Sequence, residues 1–295
     1  MVIVSYRCRE LLRDCLESLR AHPPGRPMRI VVADNASADG TVEMVAADYP
    51  EVELHASERN LGFAAATNIG MRSGGAPYVL ALNPDTRVTE GALDRVLAVL
   101  DSRLEVGVAG PRLVREDGST DHAAKRSFPT PLSALGHFTG VGRRSRAPEA
   151  LAAYRAPEVE SGPVDAVNGA FMLMRRRALQ QVGDFDEGYW MYMEDLDLSY
   201  RLAEAGWVSW YEPGATVVHL KSGTAGEHRS PHLNWAFHRG MCRFYRRHYA
   251  PERAWPLNLA VYAGIAVKLG IALARSAVAR APSSARAPAS PGTGG

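Results

Sequence analysis

The segment Trp190-Met191-Tyr192-Met193-Glu194-Asp195-Leu196-Asp197 sets three carboxylates among aromatic and apolar residues at the predicted first turn of a helix. Leu196, Tyr200 and Ala203 repeat at helical spacing up to Gly206, a C-terminal stop, so the acids sit at the positive end of the helix dipole and are expected to stay ionised. An ionised, positioned carboxylate can take a proton from a hydroxyl, which makes this the first place to seek a catalytic base. Acids in a first turn also stabilise the dipole with no chemistry attached, so both readings stand. A second candidate lies upstream, where the apolar run Tyr78-Val79-Leu80-Ala81-Leu82 stops at Asn83-Pro84-Asp85-Thr86. Proline cannot continue a strand ladder, and the turn presents Asp85 at the carboxyl edge of a sheet, where open α/β folds bind ligands. One carboxylate, a diphosphate and waters suffice to hold Mg²⁺ or Mn²⁺. Asn-Pro-Asp is also ordinary turn chemistry after a strand.

The elements that must position these acids follow from periodicity. Val2-Ile3-Val4-Ser5-Tyr6 is a strand, and Leu11, Leu12, Cys15, Leu16 and Leu19 mark one face of a helix that breaks at Pro23-Pro24-Gly25. Ile30-Val31-Val32-Ala33 is a second strand, followed by Asp34-Asn35-Ala36-Ser37-Ala38-Asp39-Gly40 and a helix over 41–48. Val52-Glu53-Leu54 and Tyr78 to Leu82 continue the alternation, with helices over 64–72 and 93–100. Alternating strands and helices signal a parallel sheet, so the first 110 residues are nucleotide-binding in style. A dinucleotide site would need Gly-x-Gly-x-x-Gly after the first strand, where this chain has Tyr6-Arg7-Cys8-Arg9-Glu10-Leu11. Residues 119–160 lose periodicity and carry Pro129, Pro131, Pro148 and Pro157, which predicts a long connection covering a site. Val167-Asn168-Gly169-Ala170-Phe171-Met172-Leu173-Met174 then reads as one strand leading to the acidic cluster.

The 295 residues are 46% apolar and 22% charged, enough for one large α/β domain with additions or two small domains. A formal net charge of +2 gives no polycationic surface, so no nucleic-acid partner is expected. Cys8, Cys15 and Cys242 form neither a Cys-x-x-Cys pair nor an even framework, and no basic segment with a following apolar stretch and cleavage site opens the sequence. A cytoplasmic protein is expected.

Taken in order, the landmarks resemble the family 2 glycosyltransferases of the GT-A fold, in their bacterial rhamnosyltransferase-like branch. They are Val2-Ile3-Val4-Ser5-Tyr6, Asp34-Asn35-Ala36-Ser37 with Asp39-Gly40-Thr41, Asn60-Leu61-Gly62-Phe63 with Asn68-Ile69-Gly70, Leu82-Asn83-Pro84-Asp85, Asn168-Gly169-Ala170-Phe171, Gly183-Asp184-Phe185-Asp186-Glu187, Glu194-Asp195-Leu196-Asp197 and Gly206-Trp207. The resemblance implies an α/β, Rossmann-like mixed sheet flanked by helices over residues 1–223; residue pattern adds a helical extension over 224–281, and a tail over 282–295 rich in Pro, Ser, Ala and Gly is expected to be disordered. It implies Asp195 as the catalytic base with Glu194 beside it, and Asp34 at the nucleotide base. Asp85 and His219 would hold Mg²⁺ or Mn²⁺. Ser5, Asn35, Asn60, Asn68, Asn83, Asn168 and Gly169 complete the implied substrate-binding set. Asn83 departs from the first aspartate of the family's Asp-x-Asp motif, which leaves more of the metal work to Asp85. Asparagine beside glycine is also turn and cap chemistry, and a strand-ending histidine is also structural, so Asn60, Asn68 and His219 keep both readings.

The implied reaction is inverting transfer of a sugar, L-rhamnose from dTDP, to a hydroxyl of a lipid-linked or cell-envelope glycan. The alternatives are a UDP-hexose or galactofuranose donor, or a non-catalytic nucleotide-sugar-binding scaffold. Toward the C-terminus, Trp235, Phe237, Phe244, Tyr245 and Tyr249 interleave with Arg239, Arg243, Arg246, Arg247 and His248, a mixture suited to a membrane interface, to a pyrophosphate-bearing lipid or to an amphipathic helix packed on the domain. Residues 257–274 are apolar apart from Lys268, with Arg275 one heptad later on the same face. A full span needs about 20 apolar residues, so the expectation is a helix lying peripherally on the inner face of the plasma membrane.

Overall fold

Short strands and amphipathic helices alternate through the first half of the chain. The computed structural model describes residues 1–129, 160–221 and 229–280. β1 (Val2–Ser5), α1 (Arg9–Ala21), β2 (Val31–Asp34), α2 (Thr41–Asp48), β3 (Glu53–Ala56), α3 (Phe63–Arg72) and β4 (Tyr78–Leu82) are followed by β5 (Thr86–Val88), α4 (Ala92–Ser102) and β6 (Val106–Val114). Then come β7 (Lys125–Arg126), β8 (Gly162–Val164), β9 (Ala166–Val167), β10 (Phe171–Arg175), α5 (Arg176–Val182), α6 (Glu194–Glu204) and β11 (Val208–His219). Two helices, α7 (Pro231–His248) and α8 (Trp255–Arg280), close the described chain. The predicted face of α1 is the buried one, since Leu12, Cys15, Leu16 and Leu19 all face the core. Ser230 caps α7 by accepting the Leu233 N–H, with Pro231 in the first turn where its missing N–H costs nothing.

The strands form a mixed sheet in the order β3-β2-β1-β4-β10-β6-β11-β5, with β8 added to β11. β1, β2, β3 and β4 run parallel, β10 is antiparallel to both its neighbours, and β11 is parallel to β6. Register brings the chemistry to one edge. Ser5 pairs with Asp34, Phe171 with Leu82, and His219 with Thr86, so the strand ends carrying the candidate residues share the same side of the sheet.

Two expectations are corrected here. The run from Val167 to Met174 is not one strand: β9 pairs with β7 in a second small sheet and β10 joins the main one. Between them Asn168 turns the chain, its Oδ1 accepting the Ala170 N–H at 2.8 Å and its carbonyl the Phe171 N–H at 3.1 Å. Polar pairing at that asparagine overrides the apolar periodicity. Residues 119–129 are likewise ordered, through a 3₁₀ turn at His122–Ala124 and β7; residues 130–159 and 281–295, including the expected tail, lie outside the described residues.

The C-terminal helices pack on the domain, one of the arrangements their sequence left open. α7 belongs to the core: Phe244 joins Ala166, Tyr189, Met193 and Leu196 in one buried cluster. Burying that ring is worth about 1.5–3 kcal/mol. Its arginines do not all face outward. Asp186 holds Arg243 through both carboxylate oxygens and also Arg247, while fully buried Asp197 accepts from His248 Nε2 and Arg201 Nε at 2.7 Å each. α8 then packs along α7, fastened by Tyr245 to Asn258 at one end and by Asn234 to Ser276 at the other.

Candidate active site

Asp195 occupies the first turn of α6, whose entry is bent by two consecutive left-handed residues, Tyr192 and Met193. Among the described residues the other left-handed non-glycines are Arg7, Ala36, Ala38 and Lys221, which follow β1, β2 and β11. Strained backbone is thereby gathered at the loops bordering one sheet edge, as at ligand-binding sites generally. The Asp195 carboxylate is fixed by three donors. Gly169 N–H and the Arg126 guanidinium bond to Oδ2, the former at 2.9 Å, and Leu196 N–H bonds to Oδ1 at 2.8 Å. Gly169 is needed for this approach, because a Cβ there would lie 3.1 Å from Asp195 Oδ2.

The Asn168 turn also reaches the other candidate acid. Asn83 N–H donates to the Ala170 carbonyl at 2.9 Å, two residues before Asp85, so one tight turn links the Asp195 carboxylate to the end of β4. Asp85 is buried at that end, and Leu220 N–H donates to its carbonyl at 2.9 Å. Its Oδ1 lies 3.5 Å from His219 Nε2, while His219 Nδ1 lies 3.5 Å from Asp121 Oδ2. Asp121 Oδ1 in turn takes Lys221 Nζ at 2.8 Å. Burial pulls the His219 imidazole down, but Asp121 and Asp85 on either side outweigh it and raise it to about 9. Burial acts against the Asp121 charge too, yet His219, Lys221 and the Ala123 N–H hold that carboxyl well below the usual range.

A carboxylate oxygen facing an imidazole nitrogen is a donor set that fits Mg²⁺ or Mn²⁺. Among the described residues neither His219 Nδ1 nor Asp121 Oδ2 has a closer polar partner than the other, so Asp121 is placed to orient the imidazole from behind once Nε2 turns to a ligand. No group of three or more His, Cys, Asp or Glu forms a cage among the described residues, and an ion held by Asp85 and His219 would need its remaining ligands from phosphate and water. Asp121 was invisible in the sequence because it lies where periodicity fails; its only signal is the turn-rich stretch Glu116-Asp117-Gly118-Ser119 before it.

The remaining expected residues divide sharply. Asp34 is buried at the end of β2 with its carboxylate accepting both the Ser37 N–H, at 3.0 Å, and the Ser37 hydroxyl. Asn35 and Asn60 knit their two loops together: Asn35 Nδ2 donates to Asn60 Oδ1 at 2.9 Å and Asn35 Oδ1 accepts the Leu61 N–H at 2.8 Å. Gly62 N–H also donates to Asn60 Oδ1, so the two side chains together shape the loop between β3 and α3. Ser5 is buried, with its hydroxyl 3.4 Å from Cys8 Sγ. The contacts of Asn68 are those of its structural reading. Its amide is fully buried, accepts the Phe185 N–H and donates to the Phe185 carbonyl and to Glu187, so it fastens α3 to the segment before α6. Asn83 contributes its backbone, with its carbonyl accepting from the Thr86 hydroxyl at 2.7 Å. Asn168 Nδ2 is likewise spent on the Ala123 carbonyl.

Glu194 departs from the expectation of an ionised acid. Helix position alone predicts an ionised acid, but burial first, and then the adjacent Asp195 charge, push this carboxyl well up. Among the described residues its Oε2 has no hydrogen-bond partner. Desolvation therefore outweighs the helix dipole at this residue.

Residues 1–183 match the sequence profile of the family described as Glycosyl transferase family 2. The chain belongs to that family. An N-acetylglucosaminyl-diphospho-decaprenol L-rhamnosyltransferase of Mycobacterium tuberculosis is 35% identical over 257 residues, covering 82% of either chain. Rhamnosyltransferase WbbL of Escherichia coli K12 is 26% identical, over 74% of this chain and 82% of its own. In fold, this glycosyltransferase is similar to the mannosyltransferase PcManGT from Pyrobaculum calidifontis solved with GDP-Man and Mn²⁺, with a TM-score of 0.57 at 17% identity over 97% of this chain and 75% of that one. The GT-A architecture expected of the glycosyltransferase is thus confirmed, and its parallel-strand edge carries Asp34, Asp85, Gly169, Asp195 and His219 together.

Proposed function

We propose that this glycosyltransferase moves L-rhamnose from a dTDP donor to a hydroxyl of a polyprenyl-diphosphate-linked glycan, inverting the anomeric centre. The observation that carries the reading is the Asn168 turn, which hydrogen-bonds to the Asp195 carboxylate through Gly169 and to the end of β4 through Ala170. A base and a diphosphate-holding acid are thereby fixed to one rigid piece of backbone. The rhamnosyl group is taken from the two rhamnosyltransferase relatives and the lipid-diphosphate acceptor from the Mycobacterium one alone; both relatives are matched over four-fifths of their own lengths.

In this mechanism the donor's nucleoside lies along the ends of β1 and β2, with Asp34 at the base and the Asn35–Asn60 pair shaping the loop beside it. Asp85 and His219 would hold a divalent ion at the diphosphate end, and that ion, when bound, would supply positive charge to the departing phosphate oxygen. Asp195 Oδ1, which among the described residues meets one N–H, keeps a lone pair for the acceptor hydroxyl's proton. A positioned base of this kind contributes about 10²- to 10⁴-fold. A single displacement from the face opposite the leaving group inverts the centre.

The same reading places the enzyme on the inner face of the plasma membrane. α8 is long and apolar enough, by length and composition, to cross a bilayer. Its contacts support lying flat instead, because it is docked on α7 at both Asn258 and Ser276. Half-buried Lys268 and exposed Arg275 sit at the margin of the packed face, and Trp255, Leu259, Val267 and Ile271 point outward. An apolar face with basic residues at its border suits the headgroup boundary.

The test is transfer by purified protein to a short-chain polyprenyl-diphospho-N-acetylglucosamine, with dTDP-rhamnose, UDP-hexoses and UDP-galactofuranose compared, each with Mn²⁺ or Mg²⁺ and with excess chelator. The expected result is metal-dependent addition of a deoxyhexose from dTDP alone, with the inverted anomeric configuration by NMR. Preference for a UDP donor, or retention of configuration, would overturn the reading.

A further inference from the structure

Glu194 and Asp195 are consecutive, both buried, and both within the first turn of α6. Two adjacent carboxylates in a desolvated site do not both ionise readily, so something must decide which one carries the charge. We propose that Arg126 is the positioning residue that selects Asp195, and not Glu194, as the proton acceptor. The inference rests on the reading of Asp195 as the base.

The donors around the pair are distributed unequally. Among the described residues Asp195 receives Gly169 N–H, Leu196 N–H and the Arg126 guanidinium, whereas Glu194 Oε2 has no donor and the Glu194 carboxyl is helped only by its own backbone N–H and by Arg126 at longer range. Of these donors only Arg126 carries charge, and a charged donor in a low-dielectric site favours the ionised acceptor far more than an amide does. Its place is set by strand pairing. Arg126 in β7 lies opposite Ala166 of β9, and β9 runs directly into the Asn168-Gly169 turn that holds the same carboxylate. Arg126 Nη2 also approaches the Val167 carbonyl at 3.4 Å, so the guanidinium is held between the turn and the helix. Both Arg126 and Gly169 bond to Oδ2, which leaves Oδ1 as the oxygen that meets the acceptor.

The other charges nearby are already engaged. Asp197, in the same first turn of α6, pairs with Arg201 and accepts from His248 Nε2 of α7, while Arg243 and Arg247 of α7 face Asp186. β9 supplies only Ala166 and Val167. From β11, His219 faces Asp85 and Asp121 and Glu212 faces Gly214; from α5, Arg176 is spent on the Ala76 and Met71 carbonyls. Tyr192, before the helix, stacks under Arg229. Burial first, and then the Asp195 charge, raise the Glu194 carboxyl, and the opposing pull of Arg126 is smaller than either.

The test combines Arg126→Met, Arg126→Lys, Glu194→Gln and the double variant Arg126→Met/Glu194→Gln. Two readouts are used: the pH profile of kcat/KM, and carboxyl titration by ¹³C NMR of Asp- and Glu-labelled protein without substrate. Arg126→Met should move the acidic limb up by about one pH unit or more, a roughly tenfold loss at acidic pH, with donor KM unchanged. Arg126→Lys should restore most of the profile, and adding Glu194→Gln to Arg126→Met should move the limb back down by removing the competing carboxyl. A merely structural role would lower the rate equally at every pH and show no recovery in the double variant, which would overturn the assignment. So would an Asp195 resonance whose titration ignores Arg126→Met. Absence of any sugar transfer by the wild-type protein would instead sink the transferase reading, and the substrate-free titration would still decide the role of Arg126.

Discussion

Replacing His219 by asparagine should remove a pH-dependent share of the metal-free protein's stability. His219 is raised in the folded chain from 6.5 to about 9 by Asp121 and Asp85, against the opposing pull of burial. At about 1.4 kcal/mol per pH unit that shift corresponds to about 3 kcal/mol. Because the folded value lies above the unfolded one, the stabilisation is complete below about pH 6.5 and fades as pH rises through about 9. Urea denaturation of wild type and His219→Asn, in excess chelator, isolates this contribution as the difference between the two proteins. The wild-type advantage should be about 3 kcal/mol larger near pH 6 than near pH 9.5. A difference that is constant with pH, or that grows with it, would refute an imidazolium held between two carboxylates. The same geometry requires a proton to leave before Nε2 can bind an ion, so Mn²⁺ binding with a nucleoside diphosphate near neutral pH should release about one proton, measurable by calorimetry in buffers of different ionisation enthalpy.

Four further outcomes are expected. Asp195→Asn should lower kcat by about 10²- to 10⁴-fold while leaving calorimetric binding of the donor nucleotide intact; retained turnover would identify another base. Gly169→Ala places a Cβ 3.1 Å from Asp195 Oδ2 and should displace the carboxylate, costing about 10- to 100-fold in kcat with little change in donor KM; unchanged kinetics would show that the close approach is dispensable. Asp197→Asn removes a fully buried charge from Arg201 and His248 and should destabilise by about 3–5 kcal/mol in urea denaturation; a cost below about 1 kcal/mol would mean that the network does not anchor α7. Glutamates at Leu259, Val267 and Ile271 together should weaken co-sedimentation with anionic vesicles by at least about 100-fold and leave the lipid-free melting temperature unchanged, whereas undiminished binding would place the membrane contact elsewhere.

Local pattern was enough to place most of the secondary structure, because strand and helix periods are written in neighbouring residues. The strand-to-helix alternation up to α4 could be read directly, as could the exit of β4 at Asn83-Pro84-Asp85 and the acids opening α6. Composition likewise exposed the long apolar stretch that became α8. The sequence could also nominate Asp195, since helix position and residue type are local facts.

Tertiary structure decided what these residues are able to do. Asp195 is held by Arg126 and Gly169, which are 69 and 26 residues away, and His219 by Asp121, which lies in a stretch without periodicity. No local spacing encodes such partners, because strand register and side-chain direction are set only when β7, β9 and β11 pair. Burial explains the rest of the divergence. It raised the Glu194 carboxyl despite its place in the first turn of α6, consumed the Asn68 amide inside the fold, and turned half-buried Arg243 to Asp186. Charge states and hydrogen-bond partners follow from what surrounds a group in three dimensions, so the sequence determined the cast of residues and only the fold assigned their parts.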